Sequence, residues 1–112
     1  MNVLPYTVLK ITAFQDRHEN KDAYDLVFTL LHQEDGPHPA GRAAASSPIS
    51  GHTLVLEALE LLEQRFADPQ QDGPSAYAAF LATQDREDET ARLRQESVAT
   101  IRQFLRGFRE AT

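Results

Sequence analysis

The chain has 112 residues, 41% of them hydrophobic and 25% charged, and contains no cysteine. That length has room for one modest core. The composition is that of a globular chain and excludes wholesale disorder, while the missing thiols exclude disulfides and thiolate metal centres. The net charge is −6; residues 1–50 hold four cations against six acids (−2), which leaves −4 for residues 51–112. The field of the whole chain therefore does not draw in nucleic acid. No apolar run approaches the roughly 18–20 residues a membrane span needs, and the N-terminus lacks the basic start and cleavage site of a secretory signal. A soluble, cytoplasmic protein with no membrane partner is expected.

The first predicted helix starts at Pro5, since proline suits the opening position of a helix, and runs to about Arg17. Its inward candidates are Tyr6, Leu9, Ala13 and Phe14; Val8, Ile11 and Thr12 add β-branched character that also fits a strand, but the i, i+3, i+4 spacing favours helix. The second predicted helix is capped by Asn20 and reaches about Gln33. Leu26, Val27, Leu30 and Leu31 form its apolar face, with Ala23 and Phe28 at the margins. Asp22, Asp25, Thr29 and His32 form a polar stripe on the other side.

Residues 34–50 carry three prolines and two glycines and read as a long exposed loop, with at most one helical turn over Arg42–Ser46. Ser50 caps a third predicted helix, strongly amphipathic through Leu54, Leu56, Ala58, Leu59, Leu61, Leu62 and Phe66, which ends near Ala67. A turn over Asp68–Pro74 leads to a short helix from about Ser75 to Ala82, with Tyr77, Phe80 and Leu81. The acidic run Gln84–Thr90 precedes the last predicted helix, where negative charge suits a helix N-terminus. That helix extends to about Phe108, and Leu93, Val98, Ile101, Phe104, Leu105 and Phe108 supply its apolar face. The cations Arg102, Arg106 and Arg109 suit its C-terminal dipole.

These elements predict an all-α fold: a small bundle of about five helices with a long Pro/Gly-rich loop after the second. One helical domain over residues 1–112 is expected, made of a helix–turn–helix (1–33) that carries the charged motifs, a loop (34–50) and a helical tail (51–112).

The charged residues of the helix–turn–helix are the main functional candidates. Lys10 and Arg17 are seven residues apart, two turns along one helix face. Two cations so placed can hold separate phosphates, or a phosphate and a neighbouring carboxylate. Asp22 and Asp25 share a face of the next helix, where carboxylates beside phosphates can hold magnesium or accept a proton. The same residues also have a plain reading: Asp22 complements the helix dipole, Lys21 and Asp25 pair at i, i+4, and Lys10 lies along apolar neighbours. Glu60 and Glu63 read as solvated helix face. The sequence shows neither a glycine-rich phosphate loop nor a nucleophile elbow, and none of its histidines has a clear ligand partner, so no metal-ligating residue is assigned.

The order Lys10-Ile-Thr-Ala13, Asp16-Arg17, Lys21-Asp22-Ala-Tyr24-Asp25-Leu26 resembles the C-terminal half of bacterial nucleotidyltransferase-like proteins. That group includes the AbiEii-type toxins of abortive-infection and toxin–antitoxin systems. The likeness covers residues 4–32; beyond them a helical tail with the Asp72-Gly73-Pro74 turn is similar in a general way. The resemblance implies that Lys10 contacts nucleotide phosphates or orients the site and that Arg17 and Lys21 add positive charge. Asp22 or Asp25 is then the acidic residue facing the catalytic domain. The family carries its metal-binding carboxylates in a Gly-Gly/Ser motif followed by Asp-x-Asp or Asp-x-Glu. Here Gly51-His52-Thr53 leads into a leucine-rich helix instead, and Asp85-Arg86-Glu87 has no glycine motif before it. Two-metal nucleotidyl transfer needs those carboxylates.

Catalysis by this chain alone is therefore not expected. Mg2+ and a nucleoside triphosphate or RNA enter only through a missing catalytic domain, and the chain is then either cut from a longer protein or a short remnant of one. A second reading is a non-catalytic helical module, antitoxin-like or scaffold, with a protein partner. It predicts an exposed apolar patch or a self-complementary dimer face. A small helical RNase of the kind that accompanies minimal nucleotidyltransferases uses an arginine followed about four to six residues later by a histidine, a spacing that none of the four histidines meets.

Overall fold

Leu4, Ile11 and Phe14 are the apolar residues that turn the first helix inward, and their spacing sets how the rest of the chain closes around it. The computed structural model describes residues 2–81 and 87–112, the side chain of Glu87 excepted. Six helices are present among them: α1 (Leu4–Arg17), α2 (Asn20–Leu31), α3 (Pro37–Ala44), α4 (Thr53–Arg65), α5 (Asp72–Leu81) and α6 (Glu87–Glu110). The described residues contain no strand, so the fold is all-helical, with six helices against about five expected. No helix among them is long and apolar enough to cross a membrane.

The first two helices make a hairpin joined by His18 and Glu19 alone. His18 adopts a left-handed conformation (φ 53°), and its amide donates to the Phe14 carbonyl at 2.7 Å, which stops α1. Glu19, in an extended conformation, then opens α2 in place of the expected Asn20 cap. The two-residue connection forces the helices to run antiparallel and side by side. α2 packs on α5, α5 on α6 and α3 on α6, while α4 bridges α1 and α6. Phe14, Leu26, Leu30, Leu62, Phe66, Ile101 and Phe104 fill the centre.

Residues 34–50 are not one loop, because α3 occupies eight of them. Pro37 and Pro39 fall in its first turn, where backbone N–H groups have no intrahelical partner, so the prolines cost the helix nothing there. Gly41 then lies against α6: a Cβ at this position would fall on the Phe104 carbonyl, and one at Gly107 would fall on the His38 carbonyl. Small residues on both helices thus let two backbones touch.

Two predicted faces also shift. In α1 the inward side is Leu4, Thr7, Ile11 and Phe14, and Leu9 points to solvent at 63% exposure. Thr7 is tolerated inside because its hydroxyl donates to the Val3 carbonyl at 2.8 Å. In α4 the inward side is Val55, Ala58, Leu59 and Leu62, leaving Leu54 and Leu56 exposed. Its N-cap is His52, whose Nδ1 accepts from the Leu54 amide at 3.1 Å, and not Ser50. The short helix begins earlier than predicted, at Asp72, with Pro74 inside its first turn. Glu87–Thr90 are already part of α6, which spans 24 residues and continues to Glu110. The predicted Ala82 end of the short helix and the Gln84–Arg86 part of the acidic run lie outside the described residues.

Candidate functional site

The tight α1–α2 hairpin brings all five candidate residues together. Arg17, at the end of α1, reaches Asp22 in the first turn of α2, its Nη2 donating to both carboxylate oxygens at 2.8 and 2.9 Å. Two turns back along α1, the Lys10 ammonium lies between the two carboxylates, 2.9 Å from Asp25 and 3.6 Å from Asp22. Lys21 closes the group by donating to the same Asp25 oxygen at 2.9 Å, one helical turn away. The Lys10 ammonium also sits over the Tyr6 ring, 5.7 Å from its centroid.

Asp22 is not part of a solvent-facing stripe, as its spacing suggested; its side chain is 3% exposed and turned toward α1. The i, i+3 rule correctly places Asp22 and Asp25 on one face, but that face meets the neighbouring helix. Burying a carboxylate costs several kcal/mol unless it is paired, and Arg17 with Lys10 supplies that pairing. Arg17 and Lys21 themselves stay largely in solvent, at 59% and 67% side-chain exposure. Three cations against two carboxylates leave the cluster one net positive charge.

The pairing also governs protonation. Burial pushes the Asp25 carboxyl up, but hydrogen bonds from Lys21 and Lys10 outweigh it and hold the group below its ordinary value. The hydrogen bond to Asp25 holds the Lys10 ammonium above its ordinary value despite partial burial. Both groups therefore stay charged at neutral pH, as a structural clamp requires.

An aromatic surface that the sequence reading did not single out adjoins the cluster. Tyr24, next to Asp25 on α2, stacks on Phe80 of α5 with ring centroids 4.6 Å apart. Its ring lies 5.4 Å from that of Phe28, which stacks on His32 at 4.2 Å. Phe28 and Phe80 are both more than two-fifths exposed. The Tyr24, Phe28, His32 spacing of four was legible as a helical row; the arrival of Phe80 from α5 was not.

A second charged surface lies between α4 and α6. A groove of about 690 Å³ has an apolar floor that includes Phe66, Ile101 and Leu105, with Arg102, Arg106 and Arg109 along its α6 side. It continues past Leu105 and Arg109 into a hollow of about 360 Å³ flanked by Leu56, Glu57 and Glu60 of α4. Arg109 donates to Glu63 across it at 2.6 Å. None of the five candidate residues lines this groove.

Among the described residues, no group of three or more His, Asp or Glu side chains is placed to hold a metal ion. The α1–α2 cluster does not fit Mg2+ by itself, because the Lys10 ammonium occupies the space between its two carboxylates and Arg17 takes both oxygens of Asp22. Comparison of the chain with protein-family models, with curated proteins and with solved structures finds no match to any of them.

Proposed function

We propose that the chain is the helical portion of a nucleotidyltransferase-like cytoplasmic protein, contributing the α1–α2 cluster to a site completed by a separate catalytic domain. The supporting observation is the construction of the cluster. Two carboxylates are held in place by three cations, one positive charge is left over, and the two most exposed members, Arg17 and Lys21, stand where α1 turns into α2. Such a surface suits an anion with several charged oxygens, since a guanidinium and an ammonium on one surface can engage separate phosphoryl groups. In this reading Lys10 orients the site, Arg17 and Lys21 meet phosphates, and Asp25, the more exposed of the two carboxylates, is the acidic group within reach of a substrate. Asp22 positions Arg17 and Lys10. Mg2+ belongs to the carboxylates of the other domain.

Inorganic triphosphate is the probe for this reading. Amide chemical-shift changes confined to the α1–α2 turn, and lost in Arg17→Ala/Lys21→Ala, are expected. Unchanged spectra up to millimolar triphosphate would remove the phosphate role. The mass of the protein in its source cells, read by immunoblot and intact mass, tests the second half of the proposal. A product of about twice 12.6 kDa or more is expected if a catalytic domain is attached.

A non-catalytic interaction module is the second reading. The exposed Leu56 at the α4–α6 groove favours it, because an apolar side chain left open beside a groove suits a partner surface.

A further inference from the structure

The α4–α6 groove has walls of opposite sign. Its α4 wall carries Glu57, Glu60 and Glu63 in successive turns, and its α6 wall carries Arg102, Arg106 and Arg109 with a single acid, Glu110. The helices run antiparallel along it: Thr53 and Thr112 flank one end, and Phe66 and Ile101 flank the other. The α4 wall alone is about 20 Å long at 1.5 Å per residue, enough for a helix of a partner to lie along it.

Arg109 pairs with Glu63 and Arg106 with Glu110, but the rest of this charge has no counterpart among the described residues. Glu57 and Glu60 make no ion pair among the described residues, and Arg102 has no carboxylate partner there, donating instead to the Ala67 carbonyl at 2.9 Å. Leu56, 44% exposed, stands beside the acidic wall.

We propose that this surface is a homodimer interface in which a second copy of the chain lies face to face across the groove. A two-fold axis running along the groove exchanges the two walls but keeps each residue at its own level. The acidic α4 of one copy then faces the basic α6 of the other, twice over, as an isologous interface demands. The Glu57–Glu60–Glu63 row of one copy thus faces the Arg102–Arg106–Arg109 row of the other, and Leu56 is covered. A two-fold axis perpendicular to the groove sets acid on acid and base on base, which like-charge repulsion disfavours. Only one of the two symmetric arrangements is thus compatible with the charges. The surface shares no residue with the α1–α2 cluster, so its fate is independent of the phosphate reading.

Sedimentation of the full chain from micromolar to millimolar concentration tests the proposal, with circular dichroism to confirm that each variant is folded. The wild type should show a monomer–dimer equilibrium that weakens with added salt. Glu57→Lys/Glu60→Lys and Arg102→Glu/Arg106→Glu should each raise the dimer Kd by at least about tenfold, because each sets like charges face to face. An equimolar mixture of the two variants should recover the dimer as a heterodimer, since every wall again meets its opposite. If a charge-reversed chain fails to fold, Glu57→Gln/Glu60→Gln gives the same direction of change with a smaller loss. A wild type that stays monomeric throughout overturns the proposal, as does a dimer indifferent to both variants, or a mixture that fails to recover association.

Discussion

The α1–α2 contact and the α4–α6 contact both set acids on one helix against cations on another, yet one is closed and the other open. Between α1 and α2 a two-residue turn fixes the helices side by side, and short aspartates are drawn in until Asp22 is almost sealed from water. Between α4 and α6 the side chains are longer, the chain between the helices runs through α5, and a groove remains with one ion pair reaching over it. Opposite charges therefore do not by themselves decide whether a helix contact is structural or available. The connection length and side-chain reach decide how much of the charge is spent inside the molecule.

The position of α6 underlies this contrast, and moving it has the largest expected effect. Gly41→Ala puts a methyl group into the Phe104 carbonyl and pushes α6 away from α3. A stability loss of about 3 kcal/mol or more is expected in urea unfolding, at the upper end of overpacking costs. A loss under about 1 kcal/mol would mean that the two backbones have freedom to part.

Breaking the closed contact comes next. Asp22→Ala strips Lys10 and Arg17 of their shared buried partner and should cost about 2 kcal/mol, less than a fully buried pair because Arg17 can return to solvent. If the loss matches that of an ordinary surface change, within about 0.5 kcal/mol, the clamp has no structural role.

Acid sharpens the same comparison. The Asp25 carboxyl is held below its ordinary value of 3.8 in the fold, so its contribution to stability is complete above about pH 4 and fades as pH falls through the folded value. Asp25→Asn removes that contribution at neutral pH and should flatten this part of the acid limb. Parallel pH–stability curves for wild type and variant would show that the Lys10–Asp25–Lys21 pairing does not govern acid sensitivity.

The smallest effect belongs to the open contact. Glu63→Ala breaks a pair whose two side chains are each about half exposed, and a change of about 0.5 kcal/mol or less in monomer stability is expected. A loss as large as that of Asp22→Ala would erase the distinction between the two regions.

How far the fold could be read from the residues varies along the chain. α6 was legible because six apolar residues recur at helical spacing, and all of them are buried. α1 and α4 were legible as helices, but their apolar residues lie on more than one side, so periodicity alone chose Leu9, Leu54 and Leu56 for the interior. Helix α3 was hidden because proline and glycine stop a helix interior but are harmless in a first turn and useful at a backbone contact. In the candidate site, the sharing of a face by Asp22 and Asp25, and by Lys10 and Arg17, followed from 3.6 residues per turn. Which neighbour those faces meet did not.

Local chemistry therefore determined the helical character of the chain, the approximate ends of most of its helices and the charged rows on α1, α2 and α6. These depend on residues near one another in sequence, through helical period, capping and dipole. Tertiary structure alone decided that Asp22 is buried, that Phe80 joins the aromatic row of α2, that Gly41 lies against the Phe104 carbonyl and that α4 and α6 face each other across a groove with walls of opposite charge. Each of these joins residues distant in sequence, and packing sets their separation.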